Sequence, residues 1–231
     1  GNNVLSFRDV IRIKQVEDVL EKYWNAHRAD ATVKYLIGDV FPSAWDFFQS
    51  FGAYWELRGW EKIGHQLEDL FLRLREFLRD VAEGRFIPDM PEPLRRPVDA
   101  GIAEGLMKLD YFRQHKYRPR KIWWERKLAP EEHGMWMRRL LENPESVVGH
   151  AAAESSPSFA SLGLTERYLH KQVMIDRVAI DLPIYLTEGI VEAGEGGGSI
   201  LVARFSADGS RPADIYGLPM VSGVSGAFPR R

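Results

Sequence analysis

The chain has no cysteine among its 231 residues. This absence excludes disulfide bonds, thiolate metal sites and cysteine nucleophiles together. It is compatible with a reducing compartment, and we expect the protein to be cytoplasmic. No apolar run approaches the roughly 18 residues that span a bilayer. The first residues also lack the basic and apolar regions of a signal peptide. The sequence therefore predicts no membrane span.

A strong charge of one sign is also missing. Lysine and arginine number 31 against 33 acidic residues, which gives a formal net charge of −2. Such a balance predicts no general attraction to nucleic acid or to anionic membranes. Hydrophobic residues make up 45% of the chain and charged residues 28%, as in ordinary globular proteins with a core. Any affinity for an anionic partner must therefore come from a local patch.

Helical periodicity dominates the chain up to about residue 150. Ser6 followed by Asp9 has the form of a capping box that starts a helix. The strongest period begins near Trp60 and continues to Val81, with Gly84 as the residue that ends the helix. We expect its apolar face to lie in the core. Four prolines follow between residues 86 and 97, so that stretch is either an extended strap or a linker.

The composition changes near residue 151, where residues 151–158 are small and polar. We predict a helical bundle over 1–150 and, over 151–231, a linker, a short helix, a β-hairpin and an irregular arm. The hairpin is expected around the glycine loop Gly194–Ser199, and Asp208-Gly209 is a second turn signal. The expected fold is mostly α, an irregular helical bundle with a small C-terminal β-hairpin element in an α+β arrangement.

One stretch concentrates positive charge beside aromatic rings, and we call residues 111–127 the basic segment. It holds seven lysines and arginines, five aromatic residues and a single acid, Glu125. Basic residues bind phosphate, and aromatic rings can stack on bases. An alternative is that the rings belong to the core while the charges extend into solvent. The candidate nucleic-acid-binding residues are Arg113, Lys116, Tyr117, Arg118, Arg120, Lys121, Trp123, Trp124, Arg126 and Lys127.

The leading hypothesis from this pattern is a non-enzymatic binding or assembly protein. Its basic aromatic surface would engage nucleic acid or an acidic protein surface, and the chain could form a homo-oligomer or a larger assembly. The sequence shows no RNA-recognition, helix-turn-helix or zinc signature.

A second hypothesis starts from Arg58 and His65. They lie seven positions apart, a spacing that puts both on one face of a helix. An arginine followed by a histidine at similar spacing resembles the active-site motif of the all-helical HEPN ribonucleases. The resemblance implies metal-free RNA cleavage with Arg58 and His65 as the catalytic residues. The polar residue that usually follows the arginine in that family is Gly59 here.

A third hypothesis is a bundle that binds an apolar ligand among Trp45, Phe48, Tyr54 and Trp55. The simpler interpretation of these rings is a packed core. The sequence predicts no metal site and no cofactor. Glu61 and His65, like Glu166 and His170, are four apart rather than the three of di-iron bundles. Glu131-Glu132-His133 is typical of charge at the start of a helix. The glycine loop matches no phosphate or dinucleotide motif.

Overall fold

The structure is a computed structural model that describes residues 5–142 and 166–220. The chain divides into two compact units, one up to Tyr111 and one from Phe112 onward. The boundary predicted near residue 151 lies outside the described residues and stays a prediction.

The first unit is helical, and its helices begin largely where the sequence indicated. Ser6 caps the first helix through a complete capping box with Asp9, which confirms that prediction. Two π-helical turns follow α1 and α2, at Glu21–Asn25 and Leu36–Val40. The helices are α1 Phe7–Leu20, α2 Asp30–Tyr35, α3 Ala44–Leu57, α4 Leu67–Ala82 and α5 Ala100–Arg113.

The helix expected from Trp60 starts later than its period indicated. Gly59 adopts a left-handed conformation with φ 68°, which ends α3. A single 3₁₀ turn at Trp60–Lys62 follows, and α4 begins only at Leu67. From there the prediction is confirmed, because the residues on its apolar face, Leu70, Leu74 and Phe77 among them, are buried.

Aromatic rings build the core of the first unit. Phe77 is fully buried, and its ring centroid lies 4.8 Å from that of Phe51 and 5.5 Å from that of Tyr54. Edge-to-face and tilted pairs of this kind add to the free energy of burial. Other rings of the same core are those of Tyr23, Phe41, Phe47, Trp55 and Trp60.

The proline-rich stretch is a strap that lies on the first unit. The Arg95 backbone amide donates to the carbonyl of Val40 over 2.8 Å. Asp89, which has a positive φ of 53°, accepts a hydrogen bond from Arg12 over 2.8 Å. Its carbonyl also accepts one from the hydroxyl of Ser50. Side-chain and backbone hydrogen bonds thus hold the strap at both ends.

The second unit combines helices with one small antiparallel sheet of order β1-β2-β3. Leu169 and Leu140 are fully buried in a core that helices and sheet share. A mostly α fold with a small C-terminal β element is therefore confirmed. The elements are α6 Pro130–Glu142, α7 Glu166–Gln172, β1 Val173–Val178, α8 Leu182–Glu188, β2 Ser199–Arg204 and β3 Asp214–Pro219.

The hairpin predicted around the glycine loop is wrong in its first strand. Ile190 and Val191 lie outside the named strands, and the partners of β2 are β1 and β3. The chain before the glycine loop instead forms the helix α8. Asp181 caps this helix, because its side chain accepts a hydrogen bond from the amide of Ile184. The turn at Asp208-Gly209 is confirmed between β2 and β3, where Gly209 has a φ of 64°.

The described helices include none that combines the length and the apolar character of a bilayer span. The irregular C-terminal arm is predicted to start at Gly217, but the first three of its residues belong to β3, so that start is wrong. Residues 221–231 lie outside the described residues.

Candidate functional site

The basic segment connects α5 to α6 as irregular backbone, and a buried carboxylate fixes its end. Asp176 on β1 is only 2% exposed. It accepts hydrogen bonds from the indole Nε1 of Trp124, from the amide of Lys127 over 3.2 Å and from the amide of Arg177 over 2.8 Å. A buried carboxylate needs such partners. The strand therefore determines where the surface charges of the segment lie.

The aromatic residues of the segment lie mostly inside the protein. Trp123 and Trp124 are 6% and 5% exposed, and their ring centroids lie 5.0 Å apart. The Trp124 ring also packs edge-on against Phe112 at 5.3 Å. The expectation that both tryptophans stack on bases must be corrected, because burial removes their faces from any base. Tyr117 is 60% exposed, and its hydroxyl donates to the carbonyl of Asp208.

The cations of the segment face solvent. Arg113, at the end of α5, is half-buried, and the other six lysines and arginines are exposed. The segment thus sorts its residues, with rings inside and positive charge outside. The exposed cations are Lys116, Arg118, Arg120, Lys121, Arg126 and Lys127.

Two histidines from neighbouring helices join these cations. Burial lowers the pKa of His133 on α6, and the positive charges of Arg126, His170 and Arg118 lower it further, while Asp176 acts in the opposite direction. Burial, followed by the charge of Arg126, likewise lowers the pKa of Arg118. We call Arg118, Arg126, His133 and His170 the electropositive cluster. The positive charge of each member makes a positive charge on a neighbouring member less favourable. A bound anion would reduce this repulsion.

Sequence reasoning missed both histidines of this cluster. His133 was assigned to the charged start of a helix, and His170 to a pair with Glu166. The helices that carry the two histidines share one core, to which Trp136 on α6 and Leu169 on α7 both contribute. No local spacing predicts that these helices meet, because Trp136 and Leu169 are far apart along the chain.

The predicted catalytic pair lies on two different elements. Arg58 follows the last residue of α3, and His65 lies in the loop before α4. The expectation of one shared helix face is wrong, because Gly59 ends the helix between them. Arg58 forms an ion pair with Glu76, and the Arg73 guanidinium lies 3.2 Å from the Nε2 of His65.

Aromatic rings nonetheless collect these side chains in one place. The Arg58 guanidinium lies 5.7 Å from the Trp60 ring centroid, and that of Arg73 lies 5.3 Å from it. The His65 ring packs edge-on against Trp55 at 4.8 Å, and its Nδ1 is buried. Both cations are thus paired or stacked, and one nitrogen of the histidine is closed to a substrate.

The rings proposed for an apolar ligand divide between core and surface. Phe48, Tyr54 and Trp55 are at most 5% exposed, whereas Trp45 is 50% exposed. The Tyr54 hydroxyl donates to Asp80 over 2.6 Å. Burial, with the help of Asp80, raises the pKa of Tyr54 far above its ordinary value. The apolar-ligand hypothesis stays a prediction.

Metal ligands are not gathered in the described part of the chain, where no group of three or more His, Cys, Asp or Glu side chains could hold an ion. The pair Glu61 with His65 therefore gains no third ligand there.

Fold and site together define a mostly helical, two-unit protein with a basic surface segment held by a small sheet. The chain belongs to a family described as a protein of unknown function, DUF4080, whose model matches residues 1–195. No curated protein and no solved structure matches the chain.

Proposed function

We propose that the protein binds nucleic acid through the phosphate backbone, using the exposed cations of the basic segment. The observation that carries the proposal is the electropositive cluster. Arg118 and Arg126 lie near enough to His133 to lower its pKa, so two of the six exposed cations of the segment lie close to one another beside that histidine.

The burial of the tryptophans supports binding through phosphates rather than through stacked bases. Stacking would give affinity through base faces, but Trp123 and Trp124 are inside the protein. The exposed cations of the segment are left to contact phosphates, and phosphates carry no information about the base sequence. We therefore expect similar binding to single and double strands, with little preference among sequences.

The segment is already positioned for such contacts. Asp176 fixes the backbone near Lys127 and Trp124, and the Tyr117 hydroxyl bonds the β2–β3 turn at Asp208. A surface that is ordered before binding loses less conformational entropy when the ligand arrives.

The test is a fluorescence anisotropy titration with labelled single-stranded RNA, single-stranded DNA and duplex DNA over a range of salt. Each neutralised phosphate of a single strand contributes about 0.7 to the slope of log affinity against log salt. Replacing Arg118 and Arg126 with alanine should therefore weaken binding and flatten that slope by about 1.4.

The matched control removes two exposed cations from the first unit, through Lys34→Ala and Arg96→Ala. That variant loses the same charge and should keep the wild-type affinity and slope. The proposal is rejected if no nucleic acid binds at low salt. It is also rejected if polyglutamate displaces the RNA as well as unlabelled RNA does, since the partner would then be an acidic protein surface.

A further inference from the structure

Two consecutive residues of β1 anchor neighbouring parts of the second unit. Asp176 accepts a hydrogen bond from the Lys127 amide over 3.2 Å, at the end of the basic segment. Arg177 forms an ion pair with Glu132, in the first turn of α6, over 2.6 Å. Because the two anchoring residues are adjacent in the strand, the end of the basic segment and the start of α6 are held close together.

The electropositive cluster lies at these two anchors. Arg126 and His133 are next to the anchored residues in the chain, and His170 is on α7, which shares a core with α6. In agreement with this geometry, the positive charges of Arg126, His170 and Arg118 all act on the His133 ring. Three positive groups thus lie near one half-buried histidine.

The two arginines of the cluster keep their charge available to a ligand. Both are exposed, and neither Arg118 nor Arg126 forms an ion pair within residues 5–142 and 166–220. Of the acids beside the cluster, Glu132 is paired with Arg177. The carboxylate of Asp176 accepts hydrogen bonds from two backbone amides and one indole N–H. These acids are therefore engaged by other groups.

We propose that the electropositive cluster binds the terminal phosphate of a nucleic-acid strand, which is a phosphomonoester. The inference rests on the proposed nucleic-acid binding and names the group that the cluster recognises. A phosphomonoester carries a charge of about −1.5 to −2 at neutral pH and presents three acceptor oxygens, whereas an internal phosphodiester carries a single negative charge.

The arrangement of the cluster favours a strand end over an internal phosphate. Cations that lie near one another repel, and an anion of higher charge relieves more of that repulsion. The planar guanidinium groups of Arg118 and Arg126 can each donate two parallel hydrogen bonds to phosphate oxygens. Other exposed cations of the basic segment, such as Lys116 and Arg120, then contact the internal phosphates of the same strand.

The test compares short RNAs of one sequence that differ only in their ends. One has a 5′-phosphate, one a 3′-phosphate and one hydroxyl groups at both ends, and each carries a fluorophore on an internal base. Anisotropy measures their affinity for the full chain at one salt concentration. One of the two phosphorylated RNAs should bind about tenfold more tightly than the hydroxyl RNA, the order expected for a new hydrogen bond to a charged group.

Matched variants within the basic segment separate the cluster from general charge. Arg118→Ala with Arg126→Ala should remove the preference, so that all three RNAs bind equally. Lys116→Ala with Arg120→Ala removes two exposed cations of the same segment outside the cluster. This control should weaken the binding of all three RNAs alike and keep the preference for the phosphorylated end.

A competition with an unlabelled nucleoside monophosphate distinguishes a strand end from a small phosphate ester. The monophosphate has no internal phosphates for the other cations, so it should displace the phosphorylated RNA only at a much higher concentration than unlabelled RNA does. Equal displacement overturns the proposal. Equal affinity of the wild-type chain for the three RNAs also overturns it but leaves the proposed function standing, whereas no binding to any RNA rejects both.

Discussion

The two units concentrate opposite charge on their surfaces. A groove between α1 and α3 in the first unit is lined by five carboxylates and one lysine, and the basic segment of the second unit has seven cations. The net charge of −2 belongs to the whole chain and therefore conceals both surfaces. The comparison shows that a nearly neutral total says little about the local potential that a partner meets.

The aromatic residues differ between the units in a similar way. In the first unit the Arg58 and Arg73 guanidinium groups lie over the Trp60 ring. In the second unit, Trp124 directs its indole nitrogen to the carboxylate of Asp176. In the first unit, guanidinium groups thus lie over the face of a tryptophan ring. In the second unit, the N–H at the edge of a tryptophan ring helps to order the basic segment.

The largest effect is expected from Phe77→Ala, which would break the aromatic core of the first unit. A fully buried ring of this size should cost about 3–5 kcal/mol of unfolding free energy through lost burial and a cavity. Denaturant unfolding measures it. Phe86→Ala is the control, since a ring that is 82% exposed should change stability by less than about 0.5 kcal/mol.

Asp176→Ala tests whether the buried carboxylate orders the basic segment of the second unit. The substitution should disorder the segment without removing a cation. The indole nitrogen of Trp124 and the Lys127 amide would lose their acceptor, which should cost about 1–3 kcal/mol. Nucleic-acid affinity should fall as well. Glu125→Ala removes the only acid of the segment itself and should slightly strengthen binding. Equal binding by both variants contradicts the anchoring role.

A pair of glycine substitutions compares helix packing in the two units. At Gly52 on α3, an added Cβ would lie 2.4 Å from the carbonyl oxygen of Gln15 on α1. Gly52→Ala should therefore destabilise the protein by about 1–3 kcal/mol. Gly134 on α6 has nothing within 4 Å of that position, so Gly134→Ala should stabilise by up to about 1 kcal/mol. Thermal unfolding should give shifts of opposite sign.

A smaller effect is expected from pH, through His133. Its pKa is lower in the folded chain, so the unfolded chain binds the proton more readily and stability falls as pH drops below about 6.5. A bound phosphate offsets the positive charge of Arg126, His170 and Arg118, so binding takes up a proton. Nucleic-acid affinity should therefore rise a few-fold at lower pH.

Anisotropy titrations between about pH 5.5 and pH 7.5 measure this dependence. His133→Ala should flatten the profile, whereas His27→Ala, in the first unit, should preserve it. A profile that is unchanged by His133→Ala places the proton uptake elsewhere.

The smallest effect is expected from the predicted catalytic pair. Labelled RNA incubated with the wild type, Arg58→Ala and His65→Ala should be cleaved equally little, since Arg58 is paired with Glu76 and Gly59 separates the two residues. General acid–base catalysis is worth about 10²–10⁴-fold. Cleavage that survives EDTA and disappears in His65→Ala would establish the ribonuclease hypothesis instead.

Local pattern predicted the parts of the fold that local forces determine. The capping box at Ser6 and the core face of α4 depend on residues within a few turns, and both are confirmed. The helix α4 starts later than the hydrophobic period predicted. Gly59 adopts a left-handed conformation, and the period does not show where such a residue interrupts the helix.

The candidate site was only partly predictable, for a reason of distance along the chain. The composition of the basic segment identified its cations. The direction of Trp124 depends on Asp176, 52 residues later, and the cluster depends on His133 and His170 from two other helices. Contacts between residues so far apart along the chain produce no periodic spacing in the sequence that could predict them.

The contact between Arg73 and His65 has a consequence for the proton on the imidazole ring. A guanidinium can only donate, so Nε2 accepts and the proton resides on Nδ1. This tautomer gives ring-nitrogen signals distinct from those of the common form in magnetic resonance spectra. His65 therefore reports, without any added label, whether the Arg73 guanidinium remains beside Trp55 and Trp60.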